Sequence, residues 1–219
     1  MHASAYPLEA TYADLETVPD HLRGEIIDGE LVVSPRPVPR HTRAATKLSS
    51  QICRPFDDGI DGPGGWWIFI EAEIRLEGEA FVPDIAGWRR ETLPEFPETP
   101  AIEVAPDWIC EVLSPSTERT DRLKKLAAYA RHRVGHVWLV NPTHRTIEVY
   151  RREGDPAHRA SDDRNERRPA VGRSPEPGAD TWRLLLIHDG EKPLRIEPFD
   201  AVELAIPLIW APERRAPGE

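Results

Sequence analysis

The sequence predicts an α/β domain of the α+β kind. Three observations carry that reading. Short apolar runs rich in Val, Ile and Trp recur along the chain, several of them facing one another across Asp-Gly, Glu-Gly or Asn-Pro turns. Two longer runs, at 40–53 and 118–132, repeat apolar side chains at the three-to-four spacing of a helix. The 219 residues are 39% hydrophobic and 30% charged, enough to fill one core and to coat it.

Residues 11–22 are expected to form a first helix. Glu25-Ile26-Ile27 and Leu31-Val32-Val33 flank Asp28-Gly29-Glu30, a strong hairpin signal. Pro35, Pro37 and Pro39 then force an extended connector. From Arg40 to Cys53, His41, Ala45, Leu48 and Ile52 mark one buried helix face. After a turn-rich loop, Trp66 to Leu76 and Phe81 to Trp88 read as a second hairpin around Glu77-Gly78-Glu79. Residues 91–107, with four prolines, are expected to be a loop, and Trp108 to Leu113 a short strand. Ser114-Pro115-Ser116-Thr117 can cap a helix running to about His132, with Leu123, Leu126, Ala127 and Ala130 toward the core. Strands at 134–140 and 146–151 follow, joined at Asn141-Pro142.

Residues 151–181 break the pattern. They hold seven Arg, seven acidic residues, four Pro and three Gly, with no aromatic side chain. Such a stretch buries too little apolar surface to offset its ordering entropy, so it is expected to be a charged, mobile insertion. Pattern returns with a strand at 182–187 and a core-bound segment at 196–210, before a loose tail at 213–219.

Composition excludes several classes. The run Trp66-Trp67-Ile68-Phe69-Ile70 is far shorter than the ~20 apolar residues of a membrane span. The N-terminus lacks a basic start followed by an apolar stretch, so no signal peptide is expected. Cys53 and Cys110 cannot build a disulfide framework or a multi-cysteine zinc site, and they read as small apolar fillers. A cytoplasmic location is expected. The net charge is −10, yet it is uneven. Residues 31–56 contain no acid but hold Arg36, Arg40, Arg43, Lys47 and Arg54, and residues 119–133 hold six basic residues against Asp121. Two basic segments in an acidic chain either line a phosphate-binding face or form solvated helix faces.

Three carboxylates sit where strands should be buried: Glu25 in GEIIDGE, Asp84 in VPDIAGW and Glu111 in DWICEVL. A carboxylate there is costly unless it is paired, hydrogen-bonded or bound to metal. Two on adjacent strands repel unless a cation holds both, and a hard ion such as Mg²⁺ takes such oxygen ligands. The alternative is that Asp84 and Glu111 face solvent or pair with Arg75, Arg89 or Lys125. A lysine two residues after Glu111 would share its face, but Leu113 stands there. Asp121, Lys125 and Tyr129 share one helix face, either as a surface pair or with Lys125 reaching back over Glu111. His41 reads either as a satisfied core histidine or as a group that binds phosphate or moves a proton.

The ordered set Pro-Asp-Ile-Ala-Gly-Trp-Arg-Arg at 83–90, Pro-Asp-Trp-Ile-Cys-Glu-Val-Leu-Ser-Pro-Ser-Thr at 106–117, Asp121-x-x-x-Lys125-x-x-x-Tyr129 and His136-Val137-Trp138-Leu139-Val140-Asn141-Pro142 resembles the Uma-two family of restriction endonucleases, which has the PD-(D/E)XK nuclease fold. The resemblance covers about residues 15–150, with an echo at 182–210. It implies a restriction-endonuclease-like mixed central sheet flanked by helices, as a single nuclease-like domain made of 1–150 and 182–212. It implies a catalytic set of Glu25, Asp84, Glu111 and Lys125, with Tyr129, His41 and Lys124 as further candidates. Asp84, Glu111, the backbone carbonyl of Val112 and Glu25 would bind Mg²⁺ or Mn²⁺. DNA would be the substrate, with Arg36, Arg40, Arg43, Lys47 and Arg122 toward its backbone, in a homodimer with no membrane association. Asn141 and Arg133 depart from the family's usual Asp and Gly without touching an implied ligand. The implied activity is metal-dependent DNA phosphodiester hydrolysis. The rival is a nuclease-fold interaction or regulatory protein without turnover, and a third reading is hydrolysis of another phosphate ester.

Overall fold

In a computed structural model, residues 9–154 and 181–212 are described. The insertion expected at 151–181 and the tail at 213–219 lie almost wholly outside the described residues. The exceptions, 151–154 and 181, continue or adjoin strands.

The first helix, α1 (Tyr12–Leu15), is far shorter than expected. Thr17, Val18 and Pro19 follow it, and a proline cannot continue a helix. Strands β1 (Leu22–Ile27) and β2 (Glu30–Pro35) pair antiparallel across Asp28-Gly29. Both turn residues have positive φ, 53° and 72°, as the predicted two-residue hairpin turn requires. Helix α2 (Pro39–Ile52) starts on a proline and buries His41, Ala44, Ala45, Leu48, Ser49 and Ile52, and it continues into a π turn (Cys53–Asp57).

The second predicted hairpin is present but bent. Strands β3 (Trp66–Ile70), β4 (Glu73–Leu76), β5 (Glu79–Phe81) and β6 (Ile85–Arg89) keep one antiparallel register throughout: Ile70 faces Ile85, and Ile74 faces Phe81. The ribbon breaks at residues 71–72 and 82–84. There Glu71 takes a positive φ of 51° and its N–H donates to the carbonyl of Asp84 at 3.2 Å. One half then belongs to one sheet and one half to another. The five-stranded sheet has the order β2-β1-β5-β4-β7, where β7 is the short Ala101–Ile102 in the proline-rich loop. The six-stranded sheet has the order β11-β10-β9-β8-β6-β3, with β8 (Trp108–Val112), β9 (His136–Asn141), β10 (Thr146–Arg152) and β11 (Trp182–His188). It is mixed: β8 runs parallel to β9 and antiparallel to β6.

The central strands β8 and β9 of the six-stranded sheet are buried throughout, so their alternate residues, which point opposite ways, feed two cores. Trp108, Cys110 and Val112 join Trp138, Val140, the α2 stripe and the returning segment Phe199, Leu204, Ile206 and Ile209 in one core. Ile109 and Leu113 join Val137, Leu139, Trp88, Ile27, Ile74 and Phe81 in the other. Helix α3 covers residues 118–131, with a π turn at Asp121–Lys125 inside it. The expected core face of this helix is corrected. Leu123 is 60% exposed and Ala127 is exposed, whereas Asp121, Lys125, Ala128, Tyr129 and Ala130 are buried. The extra residue in the π turn rotates the helix, and its buried face packs on the polar end of β8. Among the described residues no helix is long and apolar enough to cross a membrane.

Candidate active site

Glu111 lies on the face of β8 that carries Ile109 and Leu113, within a strand buried throughout. The β6–β8 register ends where Ile85 pairs with Cys110, and Asp84 directly precedes β6, beside the strand that carries Glu111. Asp84 is therefore at the ribbon bend, where the two sheets part, and not inside a strand as the sequence suggested. Its Oδ2 accepts the Val112 N–H at 2.7 Å and sits 3.1 Å from Nε2 of His41. Its Oδ1 lies 3.3 Å from the Arg23 guanidinium, which also reaches Glu71 and, at 3.4 Å, the Val82 carbonyl. Burial works to raise the Asp84 pKa. The hydrogen bond and charge of His41, the Val112 N–H and Arg23 outweigh it, so the carboxyl stays below its usual range.

Lys125 comes from α3 and points inward. Its Nζ is 2.9 Å from Glu25 Oε2, 3.1 Å from Glu111 Oε1 and 3.5 Å from Asp121 Oδ1. The position two residues after Glu111 is filled by Leu113, which is core, so the ammonium is supplied by a different element. Tyr129, one turn on, donates its hydroxyl to Glu111 Oε1 at 2.5 Å. Glu25 has both oxygens engaged: Oε1 accepts the Val82 N–H at 2.8 Å, and Oε2 meets Lys125. It thereby ties the bent ribbon to the helix.

The electrostatics are unbalanced. Glu25, Asp84, Glu111 and Asp121 surround one lysine and one arginine, and each of the four is at most 4% exposed. Burial pushes Glu111 up to about 8, against the pull of Lys125 and with the push of Asp121, Asp84 and Glu25. Burial likewise raises Asp121, although Lys125 and a hydrogen bond from Thr117 oppose it. Burial alone would lower Lys125, but Glu111, Glu25 and Asp121 hold it well above its ordinary value, so it stays charged. Burial, then the Glu111 charge, drives Tyr129 upward, so it remains a hydroxyl donor. Cys110 is pushed well above its ordinary value by burial and the nearby acids, which removes it as a nucleophile.

The donor set suits a hard divalent cation. Mg²⁺ commonly takes one or two carboxylates and keeps several waters. Asp84 and Glu111 line the same cleft, four buried acids share only Lys125 and Arg23 with His41 beside Asp84, and His41 Nδ1 is buried without a hydrogen-bond partner. Among the described residues there is no group of three or more His, Cys, Asp or Glu side chains ready-made to hold a metal.

The site lines a cleft of about 250 Å³, between residues 34–38 at and beyond the end of β2 and residues 114–117 before α3. Arg36 stands at its rim, donating to the Asp20 carbonyl at 2.8 Å. Arg40 and Arg43 donate to the Pro142 and Trp210 carbonyls, at 3.4 and 3.0 Å, and Lys47 is exposed on α2. Those carbonyls carry no charge, so these three arginines keep theirs. Arg122 does not, because Glu118 and Glu148 neutralise it. Lys124 is on the surface, paired with Glu30, and takes no part in the cluster. The structure adds Asp121, Arg23 and Glu71 to the site. The four-residue spacing from Lys125 signalled Asp121, whereas nothing in the sequence marked Arg23 or Glu71.

A family model described as "Putative restriction endonuclease", Uma2, matches residues 10–176. The chain is also similar to a crystal structure described as that of "a putative nuclease belonging to DUF820" from Anabaena variabilis ATCC 29413. The identity is 19% and the TM-score 0.62, over 92% of this chain and 97% of that one. That likeness is one of fold. No curated protein matches the chain.

Proposed function

The chain belongs to the Uma2 family, and from that premise we propose that it is a metal-dependent endonuclease hydrolysing DNA phosphodiester bonds. The observation that supports this best is the convergence of Asp84, Glu111 and Lys125, from three separate elements, on one cleft. Asp84, Glu111 and the Val112 carbonyl would hold Mg²⁺ or Mn²⁺. When bound, such an ion lowers the pKa of water and offsets charge on the phosphoryl oxygens. The protein's residues supply the rest. His41 and Arg23 fix the two oxygens of Asp84, and Tyr129 fixes one oxygen of Glu111. Lys125, kept charged by Glu25, Glu111 and Asp121, stabilises negative charge developing on the phosphate. Arg36 and its neighbours hold the nucleic-acid backbone.

The rival is a nuclease-fold interaction protein without turnover, and it is favoured by the engagement of Glu25, Glu111 and Asp121 with Lys125 rather than with a metal-ready group of three ligands among the described residues. Nicking of supercoiled plasmid separates the two. Wild type should nick in Mg²⁺ or Mn²⁺ but not in EDTA, and Asp84→Ala and Lys125→Ala should each lose activity at least 100-fold. No nicking by wild type in either ion would favour the rival, and activity surviving in Asp84→Ala would place catalysis elsewhere.

A further inference from the structure

We propose that two copies of the chain associate through β11, with their six-stranded sheets joined edge to edge and their α3 helices packed side by side over the junction. The proposal goes beyond the nuclease reading and does not depend on turnover.

Two observations lead to it. The first is helix α3, which is charged within and apolar outside. Asp121, Lys125 and Tyr129 are buried, whereas Leu123 is 60% exposed and Ala127 is exposed. A helix on the surface of a lone domain has the opposite arrangement. Its Arg122–Leu126 ridge lies on the six-stranded sheet. Arg122 pairs with Glu148 of β10, and the Leu126 carbonyl accepts the Trp182 indole N–H at 2.7 Å. Each residue turns a helix by about 100°. Leu123 and Ala127 therefore lie on the flank away from the site, toward the β11 edge.

The second observation is β11, the last strand of its sheet among the described residues. An edge strand offers a row of backbone N–H and C=O groups to a further strand. The register shifts between Val149 and Tyr150, which face Leu186 and Leu184, so Leu185 is the extra residue of a bulge. A bulge can blunt an edge, but this one sets two apolar side chains on the face beneath α3. Leu184, 45% exposed, faces Tyr150, and Ile187, 63% exposed, faces Glu148. That spacing is self-complementary. In an antiparallel pairing centred between Leu185 and Leu186, Leu184 meets the partner's Ile187, and Ile187 the partner's Leu184, at about 5 Å between Cβ atoms. A slip of one residue would set opposite faces against each other. Because α3 reaches both β10 and β11, its copy would lie about two strand spacings away, about 10 Å, the separation of packed helices. The rest of the chain offers no rival cover of matching chemistry. Residues 155–180 and 213–219 hold Val171 as their one large apolar side chain. Residues 1–8 join the fold at the other sheet, where the Ala10 N–H bonds the Gly29 carbonyl.

The test uses the full chain. Light scattering at micromolar concentration should give twice the 24.8 kDa of one chain. Leu184→Glu/Ile187→Glu should halve that mass with an unchanged far-ultraviolet spectrum. It should also abolish the rise of melting temperature with protein concentration that a dimer shows. Cross-linking reads the register without buried charge. Under mild oxidation, Leu184→Cys mixed with Ile187→Cys should give about fivefold more covalent dimer than either variant alone, or than wild type with Cys53 and Cys110 as background. A wild-type mass of one chain would overturn the proposal. So would a dimer that persists in the double glutamate variant, or a mixture that cross-links no better than its components. None of these readings depends on cleavage, so plasmid nicking by a single-chain wild type would keep the nuclease reading and overturn this one.

Discussion

Replacing Glu111 by Gln should stabilise the metal-free protein, and by an amount that grows with pH. Glu111 is 2% exposed, and its carboxyl is pushed up to about 8 from an ordinary 4.5. A group whose folded pKa is raised contributes stability below its unfolded pKa and loses it as pH climbs through the folded one. For Glu111 that window runs from about 4.5 to about 8. The full loss, at 1.36 kcal/mol for each pKa unit, is roughly 5 kcal/mol, of which about 2–3 kcal/mol falls between pH 6 and pH 9. The glutamine cannot ionise, yet it still offers an oxygen to the Tyr129 hydroxyl and to Lys125 Nζ. Urea denaturation in EDTA at several pH values should therefore show Glu111→Gln gaining about 2–3 kcal/mol on wild type from pH 6 to pH 9. A difference independent of pH would refute the reasoning, because Glu111 would then ionise as freely folded as unfolded.

Other consequences follow from the same cluster and from its frame. Lys125→Met leaves Glu25, Glu111 and Asp121 without their shared cation, and should cost about 3–5 kcal/mol in EDTA at pH 8, read from urea midpoints. Tyr129→Phe removes the hydroxyl from Glu111 and should cost about 1–3 kcal/mol by the same assay. Arg122→Met should leave DNA affinity, read by fluorescence anisotropy, within about twofold, because Glu118 and Glu148 already cancel that charge, and should cost no more than about 1 kcal/mol of stability. Gly190→Ala would set a Cβ 2.3 Å from the Arg145 carbonyl oxygen and 2.6 Å from the Trp210 ring, at a φ of +73°. It should lower the melting temperature by several degrees, which calorimetric melting would reveal.

The parts of this molecule legible in its sequence were those specified by local chemistry. Asp28-Gly29 and Glu77-Gly78 have the positive φ values their turns need, and the α2 stripe buries the residues its spacing marked. The buried acids of β1 and β8 stood out because carboxylates rarely interrupt apolar strands. What was illegible depends on contacts between distant segments. The second hairpin keeps a single register through its bend, so pairing signals alone could not show that it changes sheets at Asp84. The π turn shifts α3 by one residue, which puts Lys125 inside and Leu123 outside, against the apolar pattern. Arg23 and Glu71 acquire a role only because the bend brings them to Asp84. His41 showed the stripe position of a core histidine, and its contact with Asp84 comes from the packing of α2 on the sheet.

The most direct test of the central claim is titration calorimetry of Mn²⁺ into the metal-free chain at pH 7, in two buffers of different ionisation enthalpy. The account predicts one ion per chain, released protons from Glu111 as it ionises to bind, and loss of the binding heat in Asp84→Asn. No binding, or binding unchanged in Asp84→Asn and without proton release, would contradict it.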